Sequence, residues 1–223
     1  MISTTIKSLT KKINIKDIFV CTDNIEVFNH LKNKIYNVPI LIKRPCLNGT
    51  ERCSLAFEKI KKKYNYATII SCDLPSINPR VIEFLEKKAS NKKNNADGYT
   101  VHAEIFNKEI LKDFSTAKIV VSKKNRILYI SRAGIPYPKQ FVKGKFFSHH
   151  GIVMLKAEVL KKYKYLKNTN LQLIEDNEWL KLIENEYIIK SYLSQHMQPE
   201  INTKKDLYNY LKLQKNKNLP KKP

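Results

Sequence analysis

Short apolar runs alternate with amphipathic helical patterns through the first half of the chain. The runs that predict strands cover residues 17–21, 38–42 and 67–70. The helical patterns between and after them cover residues 25–34, 51–63 and 79–89. Continuous apolar strands separated by such helices are typical of a sheet that is buried on both faces. The pattern therefore predicts an α/β fold, with a doubly wound, mostly parallel (mixed) sheet between two layers of helices.

Strands become more frequent in the second half, and the connections between them become shorter. Predicted strands cover residues 98–103, 117–122, 126–131, 146–155 and 187–193, and predicted helices cover residues 157–163, 171–185 and 204–213. The short connection at 122–125 predicts a hairpin. No repeat or linker divides the chain, so we expect one domain over residues 1–213 and a basic, flexible tail over residues 214–223.

Composition limits the class of protein. The 223-residue chain has 42 Lys and Arg against 20 Asp and Glu, a formal net charge of +22. The lysines are scattered, which gives little support to a nucleic-acid-binding protein. No apolar run approaches the roughly 20 residues of a membrane span, and no signal-peptide pattern is found, so we expect a cytoplasmic protein without a membrane partner. The four cysteines include no C-x-x-C pair, which favours reduced thiols over a zinc site.

The clearest candidate for chemistry is Asp73, which follows the predicted strand at 67–70. In open α/β sheets, ligands bind beyond the carboxyl ends of the strands. A carboxylate there can hold Mg²⁺, which also binds phosphate oxygens. The structural alternative is a helix cap, but Ser76 or Asn78 is better placed to cap a helix that has Pro79 in its first turn. We therefore favour a functional role for Asp73.

A second candidate is the segment from Asn48 to Arg52. Gly49 allows a ligand to approach the backbone closely, and Thr50 can cap the next helix and offer its free N–H groups to an anion or a base edge. Arg52 lies in the first helical turn, where the helix dipole opposes a cation, so we expect a negative or planar group beside it. A plain capped helix is an equally good interpretation of this segment.

Two further motifs combine polar side chains with strand ends. Arg132 leaves a strand and enters a Gly- and Pro-rich loop, where it could bind a carboxylate, although a surface arginine in a turn is the slightly better supported alternative. His149 and His150 are adjacent on a predicted strand, so they point to opposite faces and we expect one to face the cleft. Asp23 and Glu26 form a capping-box-like helix start, which we interpret as structural.

These segments occur in an order that resembles the CMP-Kdo synthetase (3-deoxy-manno-octulosonate cytidylyltransferase) family. The matching segments are residues 20–23, 48–52, 73–75, 118–121, 128–137 and 149–152, followed by 171–190 and 201–207. The resemblance extends from the N-terminus to about Leu213. Each segment alone is weakly specific, whereas their combination in this order is specific to the family.

The resemblance implies a nucleotide-diphospho-sugar transferase-like fold and an enzyme that transfers CMP from CTP to a sugar acid such as Kdo, releasing pyrophosphate, for lipopolysaccharide or surface-glycan synthesis. It also implies Mg²⁺ as the cofactor and a homodimer as the assembly. The implied catalytic residues are Asp73 and Arg132, and the implied metal positions are Asp73 and Asn202. The implied nucleotide site comprises Asn48, Gly49, Thr50 and Arg52, and the implied sugar-acid pocket comprises Arg132, His149, Glu175 and Glu178.

The chain departs from the family pattern in several places. Asn202 replaces an Asp of the family, and a neutral amide is a poorer Mg²⁺ ligand than a carboxylate. Trp179 and Lys181 replace a Gln and an Arg. The family also begins with a strand and a phosphate-cradling loop, whereas Ile2 already aligns with the helix that follows this loop. Because the first strand of a doubly wound sheet is central, we expect its two neighbouring strands to lack a partner.

Two explanations of this departure stay open: a true start that lies upstream, or a degenerate paralogue whose sheet is rearranged or completed by a partner. The matching hypotheses for function are an active cytidylyltransferase and a catalytically impaired relative that binds a nucleotide, a sugar acid or a partner. Asp73, Arg52 and Arg132 favour the first, while Asn202 and the missing loop favour the second. The third alternative, a nucleic-acid-binding protein, predicts binding that weakens steeply with salt.

Overall fold

The computed structural model describes residues 1–32, 39–137, 139–143, 145–194 and 200–217. Its strands are β1 (Cys21–Thr22), β2 (Ile40–Leu41), β3 (Tyr66–Ile70), β4 (Gly98–Ile105), β5 (Lys118–Val121), β6 (Ile127–Ser131), β7 (Phe146–Lys156) and β8 (Ile189–Leu193). Its helices are α1 (Ile2–Leu9), α2 (Ile25–Lys32), α3 (Gly49–Phe57), α4 (Arg80–Ser90), α5 (Lys108–Lys112), α6 (Ala157–Tyr163), α7 (Asn170–Glu175), α8 (Leu180–Glu184) and α9 (Lys204–Lys217). None of the helices in these ranges is long and apolar enough to cross a membrane.

Six strands form the main sheet, in the order β6-β5-β7-β4-β8, with β3 also paired to β7. One edge of β7 pairs with β5 through residues 147–148 and with β3 through residues 152–156. The other edge of β7 pairs with β4, and β8 lies parallel to β4. The long strand β7 is therefore the centre of the sheet, and it lies between β3, which Asp73 follows, and the β5-β6 hairpin, which Arg132 follows.

Alternate residues of β7 enter two hydrophobic cores on opposite faces of the sheet. Val153 and Leu155 pack with side chains of α3, α6 and α8, whereas Ile152 and Met154 pack with side chains of α1 and α4. This alternation follows from the geometry of a strand, whose successive side chains point to opposite faces. Helices thus cover both faces, and the predicted three-layer α/β architecture is confirmed.

Parallel pairing is less common than the sequence predicted. Among the described strands, only β1–β2 and β4–β8 pair in parallel. The strand β7 is antiparallel to all three of its neighbours, and β5 and β6 form an antiparallel hairpin. The prediction of a mostly parallel sheet depended on continuous apolar runs such as that of β3. Such runs indicate burial on both faces, and an antiparallel strand covered by helices on both sides shows the same pattern.

The strands β1 and β2 form a separate sheet in which two residue pairs are aligned. The N–H groups of Ile40 and Ile42 donate to the carbonyls of Val20 and Thr22, each at 2.8 Å. Because successive residues of a strand direct their backbone groups to opposite edges, Cys21 directs its own away from β2. That edge of β1 has no partner strand among the described residues.

The edge of β3 that faces away from β7 also lacks a partner strand in the described ranges. The N–H of Ser71 donates to the carbonyl of Gly151 at 3.0 Å, which fixes the residues whose backbone groups face β7. By alternation, Tyr66, Thr68 and Ile70 direct their backbone groups to the unpaired edge. In the described ranges, β1 and β3 thus each have one edge without a partner strand, which is the arrangement that the sequence analysis expected for the neighbours of the absent first strand.

Several element boundaries differ from the predicted ones. The helix predicted over residues 51–63 is α3, which begins two residues earlier and ends at Phe57. The helix predicted over residues 171–185 is divided into α7 and α8, because Asp176 adopts left-handed backbone angles with φ of 46°. The last helix continues to Lys217, so residues 214–217 are helical rather than part of a tail. Residues 33–34, 38 and 218–223, for which the sequence also made predictions, lie outside the described residues.

Candidate active site

A cleft of about 320 Å³ opens beyond the ends of β3 and β6 and beside the middle of β7. Six of the residues predicted for the site line it: Asn48, Asp73, Arg132, His149, Glu178 and Asn202. Residues that the sequence did not assign also line it, and these include Ser115, His150, Asp176, Asn177, Trp179 and Glu200. Four predicted residues, Gly49, Thr50, Arg52 and Glu175, are not among the lining residues. The cleft therefore joins segments that are far apart in the sequence.

The start of α3 forms one end of the cleft. The helix is capped by Asn48 and not by Thr50 as predicted, because Oδ1 of Asn48 accepts the N–H of Glu51 at 2.9 Å. Thr50 is fully buried, and its N–H donates to Oε2 of Glu178 at 2.7 Å. A Cβ added at Gly49 would lie 3.8 Å from the same oxygen, an ordinary contact. The carboxylate of Glu178 thus lies at the helix N-terminus, a position that favours an anion.

Arg52 has a negative partner, as expected, and this partner belongs to the protein itself. Its guanidinium pairs with the carboxylate of Asp23. The predicted capping role of Asp23 is wrong, because Asn24 caps the helix α2: Oδ1 of Asn24 accepts the N–H groups of Glu26 at 2.8 Å and Val27 at 3.0 Å. The Arg52–Asp23 pair therefore ties the end of β1 to α3.

Asp73 lies beyond the end of β3, where the sequence placed it. Its Oδ1 atom is buried and accepts no hydrogen bond from the described part of the protein. Burial and, to a lesser degree, the charge of Glu200 raise the pKa of Asp73 to about 6. The carbonyl of Asp73 accepts the N–H of Ile201 at 2.9 Å, which holds the segment 200–202 against it. A buried carboxylate oxygen without a donor is costly, so this atom is suited to a ligand that supplies positive charge.

Glu200 lies beside Asp73 and was missed by the sequence analysis. Its carboxylate accepts the N–H of Gly151 at 2.9 Å and Nδ2 of Asn202 at 3.3 Å, and it lies 3.5 Å from Nδ1 of His150. Burial raises the pKa of Glu200, but the hydrogen bonds and charge of these neighbours bring it down to about 2. The carboxylate is therefore ionised at neutral pH. A glutamate two residues before a suspected metal position is the signal that could have identified it.

The guanidinium of Arg132 is held by main-chain carbonyls at the opposite end of the cleft. It donates to the carbonyls of Ser115 at 3.1 Å, Asp176 at 3.3 Å and Glu175 at 3.4 Å. Carbonyl acceptors orient a guanidinium without neutralising it, although the carboxylate of Asp176 lies 3.9 Å away. Among the described residues that line the cleft, Arg132 is the only lysine or arginine. It is therefore well placed to bind a negatively charged group.

Glu175 supports the Arg132 loop from behind. Its carboxylate accepts the hydroxyls of Tyr129 and Ser131 at 2.9 and 2.6 Å, and the N–H of Arg132 at 2.8 Å. Burial raises the pKa of Glu175, but these hydrogen bonds outweigh burial and lower the pKa below its ordinary value. Because the carboxylate is engaged by protein donors, we interpret Glu175 as a brace for this loop. Its implied role in a sugar-acid pocket stays a prediction.

Lys118 fixes the same loop from the interior of the sheet. Its side chain is fully buried, and Nζ donates to the carbonyls of Asp113 and Thr116, each at 2.7 Å, and to the carbonyl of Arg132. Three ammonium N–H groups thus meet three carbonyl oxygens. Burial lowers the pKa of Lys118. The hydrogen bonds join the segment before β5 to the loop after β6.

Both His149 and His150 line the cleft, whereas strand alternation predicted that one would. The register between β4 and β7 shifts between Thr100 and His102, and such a shift interrupts regular alternation. Nε2 of His149 lies 3.2 Å from the Thr100 hydroxyl. The rings of His149 and Trp179 pack edge to face, with their centroids 4.3 Å apart. Burial lowers the pKa of His149 to about 3, so the ring is neutral at pH 7. His149 and Trp179 therefore form an uncharged wall.

The described residues contain no group of three or more His, Cys, Asp or Glu side chains that could hold a metal ion by themselves. Mg²⁺ requires less than this, because it is commonly bound by one or two carboxylates together with water and substrate phosphates. Asp73, with a buried oxygen that no donor in the described part of the chain satisfies, fits this smaller ligand set.

Comparisons with known proteins identify the family. A family profile described as cytidylyltransferase matches residues 1–201. The chain belongs to the cytidylyltransferase family. The 3-deoxy-manno-octulosonate cytidylyltransferase of Fusobacterium nucleatum is 30% identical over 207 residues, which cover 91% of this chain and 82% of that protein. The mitochondrial 3-deoxy-manno-octulosonate cytidylyltransferase of Arabidopsis thaliana is 33% identical over 186 residues, which cover 81% of this chain and 62% of that protein.

The fold of this cytidylyltransferase is also found in a solved structure, that of CMP:2-keto-3-deoxy-manno-octonic acid synthetase complexed with CTP. The two chains superpose with a TM-score of 0.85, over 97% of this chain and 88% of that one, at 23% sequence identity. The family resemblance inferred from the order of motifs is therefore confirmed, as is the nucleotide-diphospho-sugar transferase-like fold. This cytidylyltransferase is placed among the nucleotidyltransferases.

Proposed function

We propose that this cytidylyltransferase transfers CMP from CTP to a sugar acid such as Kdo and releases pyrophosphate, in the synthesis of lipopolysaccharide or another surface glycan. The observation that carries the proposal is the single cleft in which Asn48, Asp73, Arg132 and His149 meet, although they come from four separate segments of the chain. The family and the names of the relatives support CTP as the nucleotide and Kdo as the acceptor.

The charge of the cleft supports a divalent cation as part of this reaction. Its described lining carries the carboxylates of Asp73, Asp176, Glu178 and Glu200 against the single guanidinium of Arg132. Both proposed substrates are anions, so this lining would repel them without added positive charge. We infer that Asp73 holds Mg²⁺, because its buried Oδ1 accepts no hydrogen bond from the described residues. Bound there, Mg²⁺ would neutralise phosphate charge as it develops during transfer.

We assign the nucleotide to the end of the cleft formed by α3. Asn48 lines the cleft at the cap position, and Nδ2 of Asn48 donates to the hydroxyl of Tyr163 at 3.3 Å, which fixes its orientation. In this proposal Gly49 and Thr50 shape the start of α3, and Arg52 holds that helix to the end of β1 through its ion pair with Asp23. The N–H of Thr50 is already bound by Glu178, so a nucleotide group that uses this N–H must displace that carboxylate.

We assign the sugar acid to the end formed by Arg132. A guanidinium presents paired donors that match the geometry of a carboxylate, and this one is already oriented by three carbonyls. The neutral ring of His149 and the indole of Trp179 form the adjoining wall. In this arrangement the anomeric hydroxyl of the sugar acid attacks the α-phosphate of CTP. The protein contributes alignment and charge stabilisation rather than a covalent intermediate.

Pyrophosphate release from CTP, Mg²⁺ and Kdo by the purified chain tests this proposal. We expect release that depends on all three, and a loss of about a hundredfold or more in Asp73→Asn, because the phosphate charge would lose its support. Asp17→Asn, which removes an exposed carboxylate outside the cleft, is the matched control and should retain the activity.

Release that persists in Asp73→Asn would contradict the assigned role of Asp73. A folded, monodisperse sample that releases no pyrophosphate with any sugar acid tested would favour the catalytically impaired relative instead. Binding of DNA or RNA that weakens steeply with salt, without pyrophosphate release, would favour the third alternative.

A homodimer and a cytoplasmic location accompany this proposal as predictions. An exposed apolar patch on α9, formed by Leu207, Tyr208 and Leu211, supports the dimer. Leu207 and Tyr208 lie four and three residues before Leu211, so each is a neighbour of Leu211 on the helix surface. Analytical ultracentrifugation of the full chain, compared with Leu211→Glu, checks the assembly: the variant should sediment as a monomer if this face forms the contact.

A further inference from the structure

We propose that Glu200 supplies the second carboxylate of the Mg²⁺ site, a role that the neutral Asn202 cannot fill by itself. This inference rests on the proposed function, because it concerns the cation inferred at Asp73. Glu200 and Asp73 both line the cleft, and the hydrogen bond from the N–H of Ile201 to the carbonyl of Asp73 holds the two segments together.

The carboxylate of Glu200 is held in place by main-chain and side-chain donors. Its Oε1 accepts the N–H of Gly151 at 2.9 Å, and its Oε2 accepts Nδ2 of Asn202 at 3.3 Å. A carboxylate oxygen has two acceptor positions, so Oε2 keeps one for a cation. The backbone also fits closely here, because a Cβ at Gly151 would approach the hydroxyl of Ser71 to 2.7 Å. Glu200 is thus oriented before any ligand arrives.

The charge balance gives the second argument. Asp73 and Glu200 carry like charges in a partly buried cleft. The basic group that the described lining offers beside them is the imidazole of His150, 3.5 Å from Glu200, because the guanidinium of Arg132 belongs to the opposite wall. Two neighbouring carboxylates repel each other, and a divalent cation between them removes that repulsion. Two protein carboxylates together with phosphate oxygens form a typical ligand set for Mg²⁺.

Asn202 orients Glu200 in this arrangement. The Nδ2 atom of its amide donates to Glu200, and the amide oxygen remains free to contact the cation or one of its waters. A carboxylate placed two residues earlier in the chain can thus compensate for an amide at position 202. The site keeps the negative charge that it would have with Asp at position 202 and Gln at position 200.

Calorimetric titration of CTP into the full chain, in Mg²⁺ and in EDTA, tests the proposal without relying on turnover. The quantity measured is the factor by which Mg²⁺ strengthens CTP binding. Glu200→Gln keeps the shape of the side chain but removes its charge, and it should reduce this factor about tenfold or more. The double variant Glu200→Gln/Asn202→Asp should restore the factor by which Mg²⁺ strengthens CTP binding. Glu158→Gln, an exposed position on α6 outside the cleft, is the matched control and should leave it unchanged.

The outcomes separate this inference from the proposed function. If Asp73→Asn abolishes the Mg²⁺ factor while Glu200→Gln retains it, the metal site stands and Glu200 is not a ligand. If Mg²⁺ does not strengthen CTP binding even in the unaltered chain, both the metal site at Asp73 and this inference are wrong. Recovery in the double variant supports Glu200 as the source of the charge.

A measurement on the unaltered chain covers the case in which Glu200→Gln does not fold. Gly151 is the only one of the five glycines that follows a histidine. Carbonyl-¹³C histidine combined with ¹⁵N glycine therefore gives a single amide signal in a carbonyl-edited spectrum. This amide is hydrogen-bonded to Glu200. Traces of Mn²⁺ with CTP should broaden it at lower concentrations than the Gly98 amide, selected in the same way with carbonyl-¹³C aspartate. Equal broadening of both signals would overturn the proposal.

Discussion

The six-stranded sheet and the two-stranded sheet of this cytidylyltransferase are supported in different ways. In the larger sheet, β7 pairs with three strands and buries side chains in cores on both faces. In the smaller sheet, β1 and β2 align two residue pairs, and the side chains of β2 are half-buried. Asp73, Arg132 and His149 belong to the larger sheet or to the loops that leave it. The rigid part of the molecule therefore carries the groups proposed for the chemistry.

The smaller sheet is attached to the molecule largely through α3. Asp23 pairs with Arg52, Nζ of Lys59 donates to the carbonyl of Leu41 at 3.3 Å, and the half-buried thiols of Cys21 and Cys53 lie close enough to shift each other's pKa. These are side-chain contacts, whereas the strands of the larger sheet are joined by continuous backbone ladders. The helix α3, whose start forms one end of the cleft, therefore connects the well-supported larger sheet to the weakly supported smaller sheet.

Removing a buried side chain from the central strand β7 should destabilise the protein strongly. Leu155→Ala, in β7, should lower the free energy of unfolding by about 2–5 kcal/mol, because it leaves a cavity in a core that cannot collapse. Ile42→Ala, next to β2, should lie near the lower end of that range, because its surroundings can relax. Urea denaturation measures both changes. Leu173→Ala is the exposed control and should alter stability by less than about 0.5 kcal/mol.

Native-state hydrogen exchange should show a difference in opening free energy between the two sheets that is somewhat smaller than the effect of Leu155→Ala. The amides of Ile40 and Ile42, which bond to β1, should exchange through a local opening that costs about 3 kcal/mol less than the opening that exposes β4. The amides of residues 98–102 of β4 lie between β7 and β8. Native-state exchange followed by NMR or mass spectrometry gives both values. Equal protection of the amides in the two sheets would show that the smaller sheet is as well supported as the larger one.

Acid should lower the free energy of unfolding through the protonation of His102 in the larger sheet. Per pH unit, this is the smallest of the predicted effects. Burial lowers the pKa of His102, on β4, to about 4. Between about pH 6.5 and pH 4 the unfolded chain therefore binds a proton that the folded chain does not, so stability falls as the pH falls. The slope from this group is at most about 1.4 kcal/mol per pH unit.

Urea midpoints at pH 7, 6 and 5 measure this slope. His102→Asn should reduce it, because the titrating group is gone while an amide can still bond to the hydroxyl of Ser191, which lies 2.8 Å from Nδ1 of His102. His30→Asn, at an exposed position, should leave the slope unchanged. A slope that is the same in His102→Asn as in the unaltered chain would refute the assignment.

Much of the fold follows from local patterns in the sequence. The apolar run before Asp73 correctly predicted a strand with a polar group at its end. The strand was expected to be buried, but the residues of β3 are only half-buried. The start of α3 was found within two residues, but Asn48 and Thr50 are both good caps. In the structure Oδ1 of Asn48 accepts the N–H of Glu51, and the N–H of Thr50 donates to Glu178. Local sequence therefore predicts the helix but not its cap.

Other parts of the site depend on contacts between distant segments. Glu200 is ordered by Gly151 and Asn202, and the first of these lies 49 residues away in the sequence. The break between α7 and α8 lies at Asp176, which adopts left-handed angles although it is not glycine, and its carbonyl bonds to Arg132. The left-handed angles of Asp176 have no local signal. The position of Glu200 two residues before Asn202 is a local signal, but the orientation of its carboxylate depends on the N–H of Gly151 in β7, which is remote in sequence.

Lys118 has a consequence for how the cleft responds to its surroundings. Its ammonium meets three carbonyl oxygens in the interior, much as a bound potassium ion would. Unlike a potassium ion, it is covalently attached and cannot exchange with the solvent. The wall that carries Arg132 therefore contains a cation that is part of the chain, and its shape should not depend on which monovalent cation the surrounding salt supplies.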